Sequence, residues 1–230
     1  MKTIGLLGGM SWESTVGYYR AINEGIKSRL GGFHSAKIVL YSVDFESIEK
    51  LQQVGDWTGA AQILVDAARR VESAGADFLL ICTNTMHKIA QTIEKSIHIP
   101  LLHIADATAE TLLQNGIETV GLLGTAFTME QDFYKGRLSD RYGLKVLVPE
   151  EADRQIVHTV IYNELCLGHI RADSRAEYLR IIDALAQRGA EAVILGCTEI
   201  GILVKQADSR VKLFDTTAIH ADIAVNFALN

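Results

Sequence analysis

The amino-acid sequence predicts an α/β fold of two pseudo-symmetric lobes. Each is a parallel sheet flanked by helices, with an active site in the cleft between them. Two observations carry this. Short apolar or β-branched runs alternate with longer amphipathic ones, the pattern of parallel strands joined by helical crossovers. The chain also repeats itself. Thr3-Ile4-Gly5-Leu6-Leu7-Gly8-Gly9 returns as Thr119-Val120-Gly121-Leu122-Leu123-Gly124-Thr125. Gly75-Ala76-Asp77-Phe78-Leu79-Leu80-Ile81 returns as Gly189-Ala190-Glu191-Ala192-Val193-Ile194-Leu195. The offsets, 116 and 114 residues, are nearly constant, as an internal duplication requires.

In chain order the expected strands are Thr3–Leu7, Lys37–Ser42, Asp77–Ile81, Leu101–Ile104, Thr119–Leu123, Lys145–Val148, Glu191–Leu195 and Lys212–Phe214. They are near-continuous apolar runs, as in strands covered on both faces. Between them Ile63, Leu64, Ala67, Ala68 and Val71 recur at helical spacing, as do Tyr178, Ile181, Ile182 and Leu185, so each set predicts the buried face of a helix. The expected lobes are 1–116 and 117–216, with a terminal helix over 217–230 packing back on them.

Composition narrows the function. Of 230 residues, 22 are Lys or Arg and 28 are Asp or Glu, a net charge of −6, which argues against a nucleic-acid or anionic-membrane surface. No apolar stretch approaches the ~20 residues of a membrane span, and the start MKTIGLLGGMSWE lacks a signal-peptide pattern. Three scattered cysteines, Cys82, Cys166 and Cys197, fit a reducing, cytoplasmic setting.

In parallel sheets ligands sit beyond the carboxyl ends of the strands, so the residues that follow each strand are the candidates. After the first strand come Gly8-Gly9-Met10-Ser11, and after its repeat Gly124-Thr125-Ala126-Phe127-Thr128. Such a turn exposes backbone N–H groups that suit a small carboxylate; a tight turn relieved by glycine is the alternative. Neither a dinucleotide fingerprint nor a phosphate-loop lysine is present. The third strand ends in Cys82-Thr83-Asn84-Thr85-Met86-His87, its repeat in Gly196-Cys197-Thr198-Glu199. The offset of 114 sets Thr83 opposite Cys197.

A cysteine at a strand end entering a helix is expected to have its thiolate favoured by the helix N-terminus. That points to Cys197 as a base or nucleophile. Cys166, within a helical run Ile156–Leu167, and Cys82, after Leu79-Leu80-Ile81, read as packing residues. No metal-ligand spacing occurs, and Gly-x-Ser-x-Gly of a serine hydrolase is absent. His34, His98, His158 and His169 read as surface or packing residues. His103 and His220 fit either role.

The segments GLLGGMS (5–11), TNTMH (83–87), GLLGTAFTM (121–129) and GCTEI (196–200) resemble those of the aspartate/glutamate racemase family. The resemblance implies a cofactor-independent amino-acid racemase, a cytoplasmic homodimer acting on a small amino acid. In the family two cysteines face each other across the substrate α-carbon. Here Cys197 matches the second. The first-lobe motif Cys-Asn-Thr-x-His carries Thr83 in place of its cysteine, so by resemblance Cys197 serves the L face and Thr83 the D face. Met10, Ser11, Asn84, Thr85, Thr125, Thr128, Thr198 and Glu199 are the expected substrate-binding residues. Their hydroxyl, amide and backbone donors would stabilise the carboxylate as charge develops, and Ser, Thr and Asn equally favour N-caps. An Arg expected shortly after the second strand in members specific for acidic side chains is missing; residues 38–49 read IVLYSVDFESIE, and Asp44 and Glu46 would repel a second carboxylate. Two alternatives remain at this level: a malonate-type decarboxylase using Cys197 alone, and a non-catalytic amino-acid-binding protein.

Overall fold

Two parallel sheets organise the chain, and the computed structural model describes all 230 residues. By internal packing the chain divides into two units, Met1–Ile104 with His220–Asn230, and Ala105–Ile219. The α/β fold of parallel sheets flanked by helices is the one expected.

In the first unit the elements run β1 (Ile4–Gly8), α1 (Trp12–Leu30), β2 (Ile38–Ser42), α2 (Phe45–Gln53), α3 (Trp57–Ser73), β3 (Phe78–Ile81), a 3-10 turn over Thr85–Ile89 and α4 (Ala90–Glu94). The sheet order is β2-β1-β3, with Ile4 beside both Ile38 and Phe78. Strand side chains alternate between faces. Ile4, Leu6, Phe78 and Leu80 pack with Tyr18, Ile22 and Ile26 of α1 and with Ala221, Ala224 and Val225 near the C-terminus. Leu7, Leu79 and Ile81 pack with Leu64, Ala67, Ala68 and Val71 of α3. Of the predicted helix face only Ile63 points outward.

The second unit follows with α5 (Ile104–Gln114), β4 (Thr119–Gly124), α6 (Ala126–Glu130), a π-helical turn over Arg137–Arg141, β5 (Lys145–Leu147), α7 (Glu151–Asn163), a 3-10 turn over Leu165–Leu167, α8 (Ala172–Gln187), β6 (Ala192–Gly196), α9 (Ile200–Leu203), a 3-10 turn over Gln206–Asp208 and β7 (Lys212–Asp215); the last helix, α10 (Thr216–Leu229), belongs from His220 onward to the first unit. The sheet order of the second unit is β5-β4-β6-β7. The helical run expected over Ile156–Leu167 stops at Asn163. The 3-10 turn after it ends at Gly168, whose φ of 75° is the left-handed conformation glycine adopts readily.

The duplication is visible in packing as well as in order. A Cβ on Gly5 would lie 2.6 Å from Val71 Cγ1, and one on its counterpart Gly121 2.9 Å from Leu185 Cδ1. Glycine lets α3 and α8 press against their central strands. Asp77 accepts the Thr3 N–H at 2.6 Å, and its counterpart Glu191 accepts those of Glu118 and Thr119 at 2.9 and 2.7 Å. Carboxylates thus cap the starts of β1 and β4.

Two strand expectations are corrected. β2 is an edge strand, with Leu40 and Tyr41 exposed, so it is not covered on both faces. Leu101–Ile104 forms no strand. Only Leu101 bridges Leu79, and α5 begins at Ile104. Pro100 has no N–H to give a ladder. The Leu102 N–H still donates to the Leu79 carbonyl at 3.0 Å, but side chains take the next groups: His220 Nε2 donates to the Leu102 carbonyl at 2.8 Å, and His87 Nε2 accepts the Ile104 N–H at 3.2 Å.

Candidate active site

The expected site residues lie at the carboxyl ends of the strands in both units. In the first, the chain leaves β1 through Gly9, whose φ of 92° favours glycine. The Gly9 N–H donates to Thr15 Oγ1 at 2.8 Å, and that hydroxyl donates to the Ser11 carbonyl at 2.8 Å. Ser11 caps α1. Met10 buries its side chain in the core cluster beside α3, so what it offers at the turn is backbone. At the end of β3 the Cys82 N–H donates to the Leu7 carbonyl at 2.9 Å, which ties the two turns together. Thr83, Asn84 and Thr85 follow, none more than 8% exposed.

Cys82 and Thr83 have separate environments. The Cys82 thiol is buried in the apolar cluster beside α1, and burial pushes its pKa up far beyond any value useful for acid–base work.

In the second unit Thr125 caps α6. Its Oγ1 accepts the Thr128 N–H at 3.3 Å and lies 3.2 Å from the Thr128 hydroxyl. His158 Nδ1 accepts the Ala126 N–H at 3.2 Å, and partial burial lowers the pKa of His158. After β6 come Cys197, Thr198 and Glu199, again no more than 8% exposed. Glu199 Oε2 accepts two hydrogen bonds, from Cys197 Sγ at 2.9 Å and from Thr198 Oγ1 at 2.7 Å.

That arrangement reverses the expected acidity of Cys197. Burial, and then the neighbouring Glu199 carboxylate, push its pKa well above the usual thiol range. The helix that was to favour the thiolate, α9, has only four residues, too few peptide dipoles to offset a carboxylate. The resting residue is a thiol hydrogen-bonded to a proton acceptor.

The structure adds residues for which the sequence reading gave no role. His87 Nδ1 lies 2.7 Å from the Thr83 carbonyl. Ser14 Oγ lies 3.0 Å from the Ser11 carbonyl and 3.4 Å from that of Cys82. His103 and His220, ambiguous in sequence, are buried beside His87, their ring centroids 4.5 and 6.0 Å away. His34, His98 and His169 are exposed. Spacing offered one signal for His87: four residues is the reach of a side chain back to a carbonyl one turn earlier. No group of three or more His, Cys, Asp or Glu side chains is placed to hold a metal ion, and no helix is long and apolar enough to cross a membrane.

Two α/β units of parallel strands, with hydroxyl, amide and thiol groups at equivalent strand ends, have the fold of the racemases. The chain belongs to the Asp/Glu/Hydantoin racemase family, whose model matches residues 7–224. It is 55% identical, over the whole of both chains and with a TM-score of 0.92, to a Yersinia pestis protein provisionally assigned as an Asp/Glu racemase. It is 33% identical over both whole chains, TM-score 0.86, to an aspartate racemase homologue from Pyrococcus horikoshii. To the broad-specificity amino-acid racemase RacX of Bacillus subtilis it is 24% identical over 163 residues, 71% of this chain and 70% of that protein.

Proposed function

We propose that the protein racemises amino acids without a cofactor, Cys197 and Thr83 addressing opposite faces of the substrate α-carbon. The hydrogen bond from Cys197 to Glu199 carries this reading. A buried thiol is a poor base until its proton has somewhere to go. Glu199 takes that proton, the thiolate removes the α-hydrogen of the L enantiomer, and Cys197 is again a thiol. Charge flows into the substrate carboxylate, which backbone and hydroxyl donors of Met10, Ser11, Asn84, Thr85, Thr125 and Thr128 stabilise. Thr198, whose hydroxyl donates to Glu199, acts by holding that carboxylate in place. Return of a hydrogen by Cys197 regenerates the L enantiomer, with solvent exchange where the proton has been exchanged. Delivery by the Thr83 hydroxyl to the other face gives the D enantiomer. The resulting alkoxide recovers a proton from solvent, and Glu199 releases one.

The substrate side chain is proposed to be neutral or variable. No Arg or Lys lies on β2 or its turn; Asp44 caps α2, and Glu46 pairs with Lys50 at 2.7 Å on the surface. Similarity to a broad-specificity racemase supports this breadth. The proposed setting is cytoplasmic and the proposed assembly a homodimer. The test is α-deuterium uptake from heavy water across the L-amino acids, with chiral separation of products. At least one amino acid should exchange and invert, and Cys197→Ala should remove both, since a general base contributes about 10²–10⁴-fold. No exchange with any amino acid, or an active Cys197→Ala, would overturn the proposal.

A further inference from the structure

We propose that His87 is a positioning residue for Thr83, acting through the Thr83 carbonyl and taking no proton itself. This rests on Thr83 being the second proton-transfer residue.

The ring's hydrogen-bond partners fix its chemical state. The backbone N–H of Ile104 can only donate, and it meets His87 Nε2 at 3.2 Å. Nε2 therefore presents its lone pair there. The Thr83 carbonyl can only accept, and it meets Nδ1 at 2.7 Å. Nδ1 therefore carries the hydrogen. The ring is a neutral imidazole in one tautomer with both nitrogens occupied, 3% exposed and packed edge-on against His103. It has no nitrogen left with which to act on a substrate.

What it can do is hold a peptide plane. The Thr83 carbonyl and the Asn84 N–H belong to one trans peptide unit, and in such a unit they point opposite ways. Drawing the carbonyl toward the ring fixes the rotation of Thr83 about its Cα–C bond and aims the Asn84 N–H away from His87. On the other side of Thr83, the Cys82 carbonyl lies 3.4 Å from Ser14 Oγ. Thr83 thus sits between two carbonyls that each meet a side chain. A hydroxyl that must deliver a proton to one face of a carbanion depends on its position more than a larger, more acidic group would.

The second unit lacks this device. The residue at the position equivalent to His87 is Gly201, and the Cys197 carbonyl is held by the Ile200 N–H at 3.0 Å. The ring clamp belongs to the threonine side alone. It also reaches out of the loop, because its second partner, Ile104, is the last residue before the chain passes into the second unit.

Two substitutions separate the two bonds. Asn places an amide N–H where His has Nδ1, so His87→Asn keeps the donor to Thr83 and loses the reach to Ile104. Gln places its oxygen where His has Nε2, so His87→Gln keeps an acceptor for Ile104 and loses the donor to Thr83. For wild type and both variants the rates of α-deuterium uptake into the L substrate and of inversion to D are measured side by side, with thermal unfolding as a check on the fold. In His87→Gln the inversion-to-exchange ratio should fall about ten- to a hundredfold while exchange through Cys197 stays near wild type. His87→Asn should restore most of the ratio. An unchanged ratio in His87→Gln, or a parallel loss of both reactions in both variants, overturns the proposal. Absence of exchange in the wild type instead overturns the racemase reading, and this one with it.

Discussion

Replacing Glu199 by Gln sets two physical effects against each other. Gln has the same shape and can leave its oxygen where Oε2 accepts from Cys197 at 2.9 Å and from Thr198 at 2.7 Å. Two charge-assisted hydrogen bonds become neutral ones, each about half as strong. A carboxylate that is 2% exposed no longer has to be kept in a dry site, which offsets part of that loss. Stability should therefore change by only about 1 kcal/mol. The thiol feels the change differently. After burial, the Glu199 charge is the next influence that raises its pKa, so Cys197 in Glu199→Gln should ionise more readily, with burial still holding it up. If Glu199 only hindered the thiolate, the variant would be faster. If Glu199 receives the thiol proton, the variant should lose about 10²–10⁴-fold in α-deuterium uptake, or roughly 3–5 kcal/mol of barrier. Proton NMR of the L substrate in heavy water measures the rate. The pH dependence of thiolate absorbance, against Cys197→Ala as blank, measures the ionisation. An exchange rate at or above wild type would refute the relay.

Cys82→Ala should leave inversion within a few-fold of wild type and cost about 1 kcal/mol in urea unfolding, because the thiol packs in the core; Thr83→Ala should do the reverse. Gly5→Ala would bring a methyl to 2.6 Å from Val71 Cγ1 and 2.7 Å from the Phe78 carbonyl oxygen, and should lower stability by about 1–3 kcal/mol, read as a lower urea midpoint with an unchanged slope. Burial lowers the pKa of His220 to about 4, so between that value and the ordinary value of roughly 6.5 the unfolded chain binds more protons than the folded one. Stability fully present above about pH 6.5 should therefore fall by about 3 kcal/mol as the pH approaches 4, and His220→Asn should show a shallower pH dependence in the same unfolding series.

Most of the strands, the repeat and the strand-end location of the candidates were legible because each depends on local pattern. Apolar runs bounded by glycine mark β1, β3, β4 and β6, and two nearly equal offsets, 116 and 114 residues, relate Gly5 to Gly121 and Asp77 to Glu191. What was not legible depends on where a side chain turns. The weak acidity of Cys197 follows from its burial, then from a carboxylate two residues on that folds back to the sulfur, with a helix of one turn too short to offset them. Nothing in GCTEI announces these. Leu101–Ile104 reads as a strand because its composition is that of one, yet two histidines elsewhere in the sequence take its Leu102 carbonyl and Ile104 N–H. Each ring contributes a hydrogen bond that a ladder would otherwise supply, and an apolarity pattern carries no record of it.

The two equivalent strand ends carry different chemistry. One holds a thiol beside a carboxylate, the other a hydroxyl on a loop clamped by a histidine. That asymmetry cannot make a one-way racemase. Enantiomers of an amino acid with one stereocentre have equal free energy in water, so the equilibrium constant is one and kcat/KM must be equal in both directions. On the proposed mechanism a weak group at position 83 raises a barrier that both directions share, by about 1.4 kcal/mol for each factor of ten. Exchange is under no such constraint. Proton return on the Cys197 face leaves the configuration unchanged and never uses Thr83, so on the proposed mechanism the L enantiomer should take up deuterium faster than it inverts. On the same mechanism the D enantiomer would present its α-hydrogen to the hydroxyl and should exchange little without inverting. The asymmetry of the two strand ends should thus appear in the fate of the α-hydrogen and be invisible in the position of equilibrium. Equal exchange without inversion from both enantiomers would mean that the two strand ends act alike despite their different side chains.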